Sequence, residues 1–256
     1  MHLNRLVSEL RAAGCVFAEE EAELLLAAAP DPGELAGLLA RRTAGEPLEH
    51  VVGWAGFRGL RMAVGPGAFV PRRRSEYLAK RAVAAARPGA VVLDLCCGVG
   101  AVGAAVAAAV PGVRLHAADI GEAAVRYARA NLAGTGGRVF LGDLYAPLPA
   151  ELTGRVDVLV ANAPYVPTGD LGLLPPEARE HEPAEALDGG ADGLDVQRRV
   201  IAGAPAWLAP GGTLLVETGR RQAPLTASLF RAAGLTARIR TSEAYEATVV
   251  TGGPPD

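Results

Sequence analysis

Four short stretches of the chain carry side chains able to do chemistry, and each closes an apolar, strand-like run. In Val91-Val92-Leu93-Asp94-Leu95-Cys96-Cys97-Gly98-Val99-Gly100, the run carries one carboxylate and enters a glycine-rich turn ahead of an Ala/Val segment. Glycine at 98 and 100 lets a backbone approach a ligand with no Cβ in the way, and the amides opening the next helix offer donors. The GxGxxG spacing of Gly98, Gly100 and Gly103 is a weak signal by itself. Asp94 discriminates: a carboxylate just before the turn repels a pyrophosphate and suits a cationic, amine-bearing cofactor, favouring S-adenosylmethionine over NAD. Asp119 closes a second run, where a carboxylate can accept both hydroxyls of a ribose or cap the helix after Gly121. Asp143 follows Val139-Phe140-Leu141 and can face an adenine amino group or cap its own loop.

Asn162-Ala163-Pro164-Tyr165 follows the run from Val156 to Ala161. An Asn side chain offers an acceptor oxygen and a donor amide. That oxygen and a neighbouring backbone carbonyl can hold both hydrogens of an –NH2 group, while Pro164 fixes the chain direction and Tyr165 supplies a flat wall. Such a loop receives a planar neutral amine or amide and not a carboxylate. An Asn-X-Pro turn alone means little; its place beside the glycine-rich turn gives it weight.

The elements that must position these residues fall into two textures. Apolar residues recur at helical spacing through Leu3, Leu6, Val7, Leu10 and again through Leu24 to Ala28. Pro30-Asp31-Pro32-Gly33 breaks the pattern and opens a helix over Glu34 to Arg42. Residues 1–50 therefore read as a small helical lobe. Val51 to Trp54 and Leu60 to Val64 read as strands of a hairpin, and 51–72 as a linker ending in a Gly/Pro-rich hinge. From residue 73 to 256, strands alternate with helices, as in a parallel sheet covered on both faces. Helices are expected at 101–110, 122–132 and 194–208, and strands at 90–95, 113–118, 139–141, 156–160 and 213–216. The tail, 235–240 and 247–251, offers a tight hairpin whose last strand runs antiparallel.

Half of the 256 residues are hydrophobic, enough to bury a full core. The 25 Lys+Arg against 28 Asp+Glu, a net charge of −3, speak against a protein held on nucleic acid by bulk charge, Arg72-Arg73-Arg74 apart. Cys15, Cys96 and Cys97 form no CxxC, and sequence neighbours rarely bridge, so neither a disulfide framework nor a metal site is expected. A reducing, cytoplasmic compartment fits. Met1 to Leu10 is interrupted by His2, Arg5 and Glu9 and does not read as a signal peptide. No uncharged apolar run of roughly 18 residues is present, so no membrane span is expected.

Beyond these readings, the chain resembles the release-factor glutamine methyltransferase family. Gly45-Glu46-Pro47-Leu48-Glu49-His50-Val51-Val52-Gly53 is similar to that family's GEPLxYxxG segment, and Phe69-Val70-Pro71-Arg72 with Glu76 to its (L/V)xPRxxTE segment. Leu93 to Gly100 resembles its cofactor loop, and Asn162 to Tyr165 its NPPY motif. Glu182-Pro183, Ala186 to Gly190 and Asp192 to Asp195 resemble its EPxxALxGGxDGL stretch. The resemblance implies a class I, Rossmann-like S-adenosylmethionine-dependent methyltransferase fold: a seven-stranded sheet with an antiparallel last strand, preceded by a helical substrate-recognition domain. It implies methyl transfer to the side-chain amide nitrogen (N5) of the glutamine in the GGQ motif of peptide chain release factors. By position, Cys96, Cys97, Gly98, Val99 and Gly100 would form the cofactor loop, with Asp119 at the ribose and Leu144 beside the adenine. Asn162, Ala163, Pro164 and Tyr165 would hold the glutamine, and Asn162 would also contact the cofactor. A monomer with a protein substrate, touching nucleic acid only indirectly, is the matching expectation.

Two departures mark a divergent paralogue. Ala163 stands where the family motif has proline, and Pro71 to Glu76 lacks the second proline and the acidic residue of the family segment, carrying three arginines in a row. Nucleic-acid and small-molecule N-methyltransferases, which grip the same kind of –NH2 group, are the competing readings.

Overall fold

The computed structural model describes residues 3–29 and 31–255; Met1, His2, Asp256 and the first proline of the helix breaker, Pro30, lie outside the described residues. Four helices open the chain: α1 (Leu3–Ala12), α2 (Ala18–Ala28), α3 (Pro32–Thr43) and α4 (Leu48–Val52). The Asp31 side chain caps α3 by accepting from the Gly33 and Glu34 amides, two of the donors a helix start leaves unpaired. Leu6, Leu10, Ala22, Leu25, Leu35, Leu39 and Val51 close a small apolar cluster among the four. Inside this lobe the Arg42 guanidinium is buried against Glu21 at 2.6 Å, and it also reaches Glu177 in the second half of the chain at 2.5 Å.

Val51 and Val52, expected in a strand, form the last turn of α4. Gly53, in the left-handed conformation at φ +82°, ends that turn, and the hairpin strand starts only at Trp54. The hairpin is β1 (Trp54–Phe57) against β2 (Leu60–Ala63), with Trp54 opposite Ala63. Two β-branched residues are too short a signal to separate a strand from a helix end.

The rest is one seven-stranded sheet in the order β5-β4-β3-β6-β7-β9-β8. Its strands are β3 (Val91–Leu95), β4 (Arg114–Asp119), β5 (Arg138–Leu141), β6 (Val156–Ala161), β7 (Leu208–Thr218), β8 (Arg238–Ser242) and β9 (Ala247–Gly252). Neighbours are parallel except around β9, which runs antiparallel to both β7 and β8. Every residue of β3 is buried, because helices cover both faces of the sheet. Val92, Val158, Val160 and Leu215 face α5 (Ser75–Ala85), α6 (Ala101–Ala109) and α7 (Glu122–Leu132). Leu93, Leu159, Leu214 and Val216 face α9 (Asp195–Trp207) and α10 (Ala223–Ala232); a short helix, α8 (Pro176–His181), lies outside these layers. The fold is the one the class I methyltransferase resemblance implies, with the antiparallel final strand where the sequence places it.

Helices α5 and α10 carry no expectation in the sequence. Their buried faces are built largely of small residues, Ser75, Ala79 and Ala82 in one and Ala223, Thr226 and Ala227 in the other, so the apolar period is faint. Among the described residues, no helix is long and apolar enough to cross a membrane.

The buried Arg42–Glu21 pair yields a stability test. Arg42→Ala leaves a carboxylate without its cation in the lobe and should lower the unfolding free energy by roughly 3–5 kcal/mol in urea titrations. A loss below about 1 kcal/mol would mean that the pair behaves like a solvated surface bridge.

Candidate functional site

At the carboxyl ends of β3, β4 and β6 lies a cleft of about 500 Å³, bordered by all four stretches singled out in the sequence. Its floor is the turn from Cys96 to Gly100, closed by the Gly100 amide on the Cys97 carbonyl at 2.8 Å. The two glycines of the turn serve different needs. A Cβ at Gly98 (φ +54°) would meet no protein atom, whereas one at Gly100 (φ +79°) would press on Leu132 of α7 at 3.1 Å. Gly98 keeps the turn open to the cleft; Gly100 lets α7 pack. Cys96 adopts φ +52° although it has a side chain, a conformation that costs about 1–2 kcal/mol. Burial pushes the Cys96 and Cys97 thiols up, so both stay protonated and unreactive.

The acidic residues divide by their partners. Asp94 is buried, and its Oδ2 accepts the Gly103 amide at 2.9 Å, satisfying a donor of the first turn of α6. Burial pushes its carboxyl up to about 7, opposed by that hydrogen bond and reinforced by the nearby Asp119 charge. Asp119 spans two loops: Oδ2 accepts Gly98 N–H at 2.8 Å and Oδ1 accepts Gly121 N–H at 2.9 Å. Its carboxyl is likewise raised by burial. A carboxylate has about four acceptor positions, so Asp119 keeps capacity for a diol. Asp143 is exposed and gives its carboxylate to Arg199 of α9 at 2.5 Å. Leu144, beside it, is buried in the apolar layer at φ +47°.

Asn162 leaves the end of β6 half-buried, with Nδ2 donating to the Ser75 hydroxyl at 3.2 Å. Its Oδ1 and the Ala163 carbonyl take no hydrogen bond among the described residues. Tyr165 Oη donates to Glu217 Oε1 at 3.3 Å and accepts from Arg74 Nη1 at 3.4 Å. Burial, then the Glu217 charge, pushes the phenol up to about 12. The backbone of the loop is held from outside. Gln222 Nε2 donates to the Tyr165 carbonyl at 3.0 Å, and Val166 exchanges hydrogen bonds with Leu187 and Gly189.

The stretch 182–195, which has no chemical signature of its own, thus acts as scaffolding. A Cβ on Gly193 would stand 2.4 Å from the Tyr165 carbonyl oxygen, so only glycine lets this length of chain lie against the loop. Glu182 is buried and accepts Val70 N–H at 3.0 Å and Arg72 at 2.6 Å, fixing Phe69 to Arg72 at the cleft edge. The arginine run splits accordingly: Arg72 pairs inward, Arg74 sits at Tyr165, and Arg73 is exposed without an ion pair among the described residues.

Lining residues that were not singled out in the sequence include Ile120, Glu177, Arg199 and Glu217. Glu217 had a usable signal, since a charge near the carboxyl end of an apolar parallel strand occupies the same kind of position as Asp94 and Asn162.

Known proteins that the chain is similar to are methyltransferases. A family model described as the methyltransferase small domain matches residues 75–172. A release factor glutamine methyltransferase of Mycolicibacterium smegmatis is 43% identical over 226 residues, covering 81% of this chain and 80% of the relative. A 4-amino-L-phenylalanine/4-methylamino-L-phenylalanine methyltransferase of Streptomyces pristinaespiralis is 39% identical over 232 residues, 88% of this chain and 78% of the relative. Among solved structures, a methyltransferase from Pyrococcus furiosus superposes with a TM-score of 0.57 at 16% identity, covering 85% of this chain and 98% of that one, a likeness of fold.

The Asp94 carboxyl generates a pH test. Its folded value, about 7, lies above the ordinary 3.8, so the fold binds the extra proton between those values and loses stability as pH rises through that window. Thermal unfolding should move to lower temperature from about pH 5 to about pH 8. Asp94→Asn, whose amide oxygen still accepts Gly103 N–H, should flatten that fall without abolishing it, because Glu217 titrates in the same range. A wild-type slope in the variant would remove Asp94 as its source.

Proposed function

The chain belongs to the release factor glutamine methyltransferase family and is an S-adenosylmethionine-dependent methyltransferase; from that premise we propose that its methyl acceptor is the N5 amide nitrogen of a glutamine, that of the GGQ motif of a peptide chain release factor. The observation that carries this reading is the pair of unengaged acceptors, Asn162 Oδ1 and the Ala163 carbonyl, bordering the same cleft as the glycine-rich turn.

The residues present fit the methyl donor. Its sulfonium and ammonium groups are cationic, and the cleft offers Asp94 and Asp119, two carboxyls that burial holds above their ordinary range and that a nearby cation would relieve. In this reading Asp94 and the Cys96–Gly100 turn hold the amino-acid end, Asp119 the ribose, and Asp143 and Leu144 the adenine end. The volume lies within the usual range for small-ligand sites, about 300–1,000 Å³. When bound, S-adenosylmethionine supplies an electrophilic methyl group.

The protein's part is positioning and electrostatics. An amide nitrogen is a poor nucleophile because its lone pair is delocalised into the carbonyl. Asn162 Oδ1 and the Ala163 carbonyl accept its two N–H bonds, which aims the lone pair across the cleft and stabilises positive charge as it develops on nitrogen. Fixing the amide before reaction removes the freedom that a dissolved one would still have to lose. Pro164 and Tyr165 wall the acceptor side, and one N–H proton leaves to solvent afterwards. Ala163 keeps the carbonyl that this needs. The stiffness a proline ring would add at 163 comes instead from the bonds of Gln222, Leu187 and Gly189 to the residues that follow.

A second reading, methylation of the aromatic amine of a free amino acid, is favoured by the Streptomyces pristinaespiralis relative and by Arg74, a cation at Tyr165 able to receive a carboxylate. Labelled methyl donor offered with release factors in one arm and 4-amino-L-phenylalanine in the other decides between them, with peptide mapping of any labelled protein.

On the accepted substrate, Asn162→Ala should lower turnover by about a hundredfold or more, while calorimetric affinity for S-adenosylmethionine stays unchanged. Normal turnover in that variant would end the amide-clamp mechanism.

A further inference from the structure

A side chain outside the cleft joins its wall to its floor. Asn131, in the last turn of α7, makes three hydrogen bonds to two stretches remote in sequence. Its Oδ1 accepts Ala63 N–H at 2.8 Å, and its Nδ2 donates to the Ala63 carbonyl and to the Val99 carbonyl, both at 2.9 Å. Ala63 ends β2, so the amide meets the two-stranded hairpin as a peptide unit of a third strand would. Val99 lies inside the Cys96–Gly100 turn, between its two glycines. Both Nδ2 hydrogens are used, and a reversed amide would set its oxygen against two carbonyls; one orientation satisfies every partner.

The chain leaving the hairpin follows the same face of α7. Ala123, Tyr127 and Asn131 are four residues apart and stand above one another on the helix. A Cβ on Gly65 would collide with the Tyr127 hydroxyl, and one on Gly67 would press on Ala123 at 3.1 Å. Further on, His50 Nε2–H donates to the Ala68 carbonyl at 2.9 Å and Glu182 accepts Val70 N–H at 3.0 Å. Gly67, Phe69, Pro71 and Arg72 of this segment border the cleft.

We propose that Asn131 is a positioning residue for the methyl donor: it couples the glycine-rich turn to the hairpin, so that ordering either one orders the other. The proposal rests on the Cys96–Gly100 turn holding the methyl donor. A turn already fastened at Val99 has less freedom to lose when it closes on a ligand, which raises affinity without any contact from Asn131 itself. Linkage makes the effect mutual, so a turn stilled by its ligand stills Ala63 through the same amide. The helical lobe enters by this route too, since α4 leads directly into the hairpin and supplies His50.

Hydrogen exchange of the full-length chain, with and without S-adenosylmethionine, reads the coupling in the absence of any methyl acceptor. The reporters are the Ala63 and Val64 amides, because neither residue borders the cleft. In wild type the methyl donor should slow exchange about tenfold at Gly98 and Gly100, and by a smaller factor at Ala63 and Val64. Asn131→Asp keeps an acceptor for Ala63 N–H and loses both N–H groups; Asn131→Leu is similar in size and carries neither charge nor hydrogen bond. Either variant should keep the slowing at Gly98 and Gly100, lose it at Ala63 and Val64, and bind S-adenosylmethionine about tenfold more weakly in calorimetry. A merely structural Asn131 would lower the melting temperature and leave the slowing at Ala63 in place. Slowing that persists at Ala63 and Val64 in both variants, or that is missing there in wild type, would sink the coupling. Exchange at wild-type Gly98 and Gly100 that ignores S-adenosylmethionine would overturn the placement of the methyl donor as well.

Discussion

The reversal of strand order at β3 is the constraint on which the cleft depends. From β3 the chain steps outward to β4 and β5, then returns across the sheet to lay β6 and β7 on the opposite side. Right-handed crossovers carry the two sets of connections to opposite faces, so the loops after β3 and β6 leave in different directions. Between them a crevice opens that no connection fills. The glycine-rich turn and the Asn162 loop are remote in sequence, yet they end adjacent strands paired from Val92–Val158 to Leu95–Ala161. Their spacing is therefore set by the sheet hydrogen-bond ladder, the stiffest part of the molecule.

Three carboxyls near strand ends, Asp94, Asp119 and Glu217, have backbone amides and hydroxyls for partners and no cation in direct contact among the described residues. Burial opposes their ionisation, and a fold selected only for stability would have paired or replaced them. The solvated acids behave otherwise: Asp192, held by Arg198, has its carboxyl below the ordinary range. All three border the cleft, and in the proposed reading a cationic methyl donor there gives uncompensated negative charge a use.

Around this centre, the chain braces its loops with segments that touch no reacting atom. The stretch 187–195 stitches the Tyr165–Val166 backbone in place, and Glu182 clamps Val70 and Arg72. Glu177, in the first turn of α8, borders the cleft and receives Arg42, which ties the helical lobe to the same region. Contacts made by the lobe can therefore reach the cleft edge through packed and ion-paired groups.

Much of this was legible in the sequence because it depends on short-range rules. Apolar runs ending in a carboxylate or an asparagine announce strand ends; glycines at 98 and 100 announce a tight turn; the order of elements announces the sheet and its antiparallel close. Small-residue helices, the helical fate of Val51 and Val52, and the scaffolding of residues 182–195 were not legible, since each is decided by what packs against it. The same holds within the site. Residue type alone suggested Asn162 as a clamp, but that its Nδ2 meets the Ser75 hydroxyl, 87 positions away, is visible only in the folded chain. Side-chain chemistry is a property of one residue, whereas the direction of a hydrogen bond belongs to two, and only the folded chain brings the second one near.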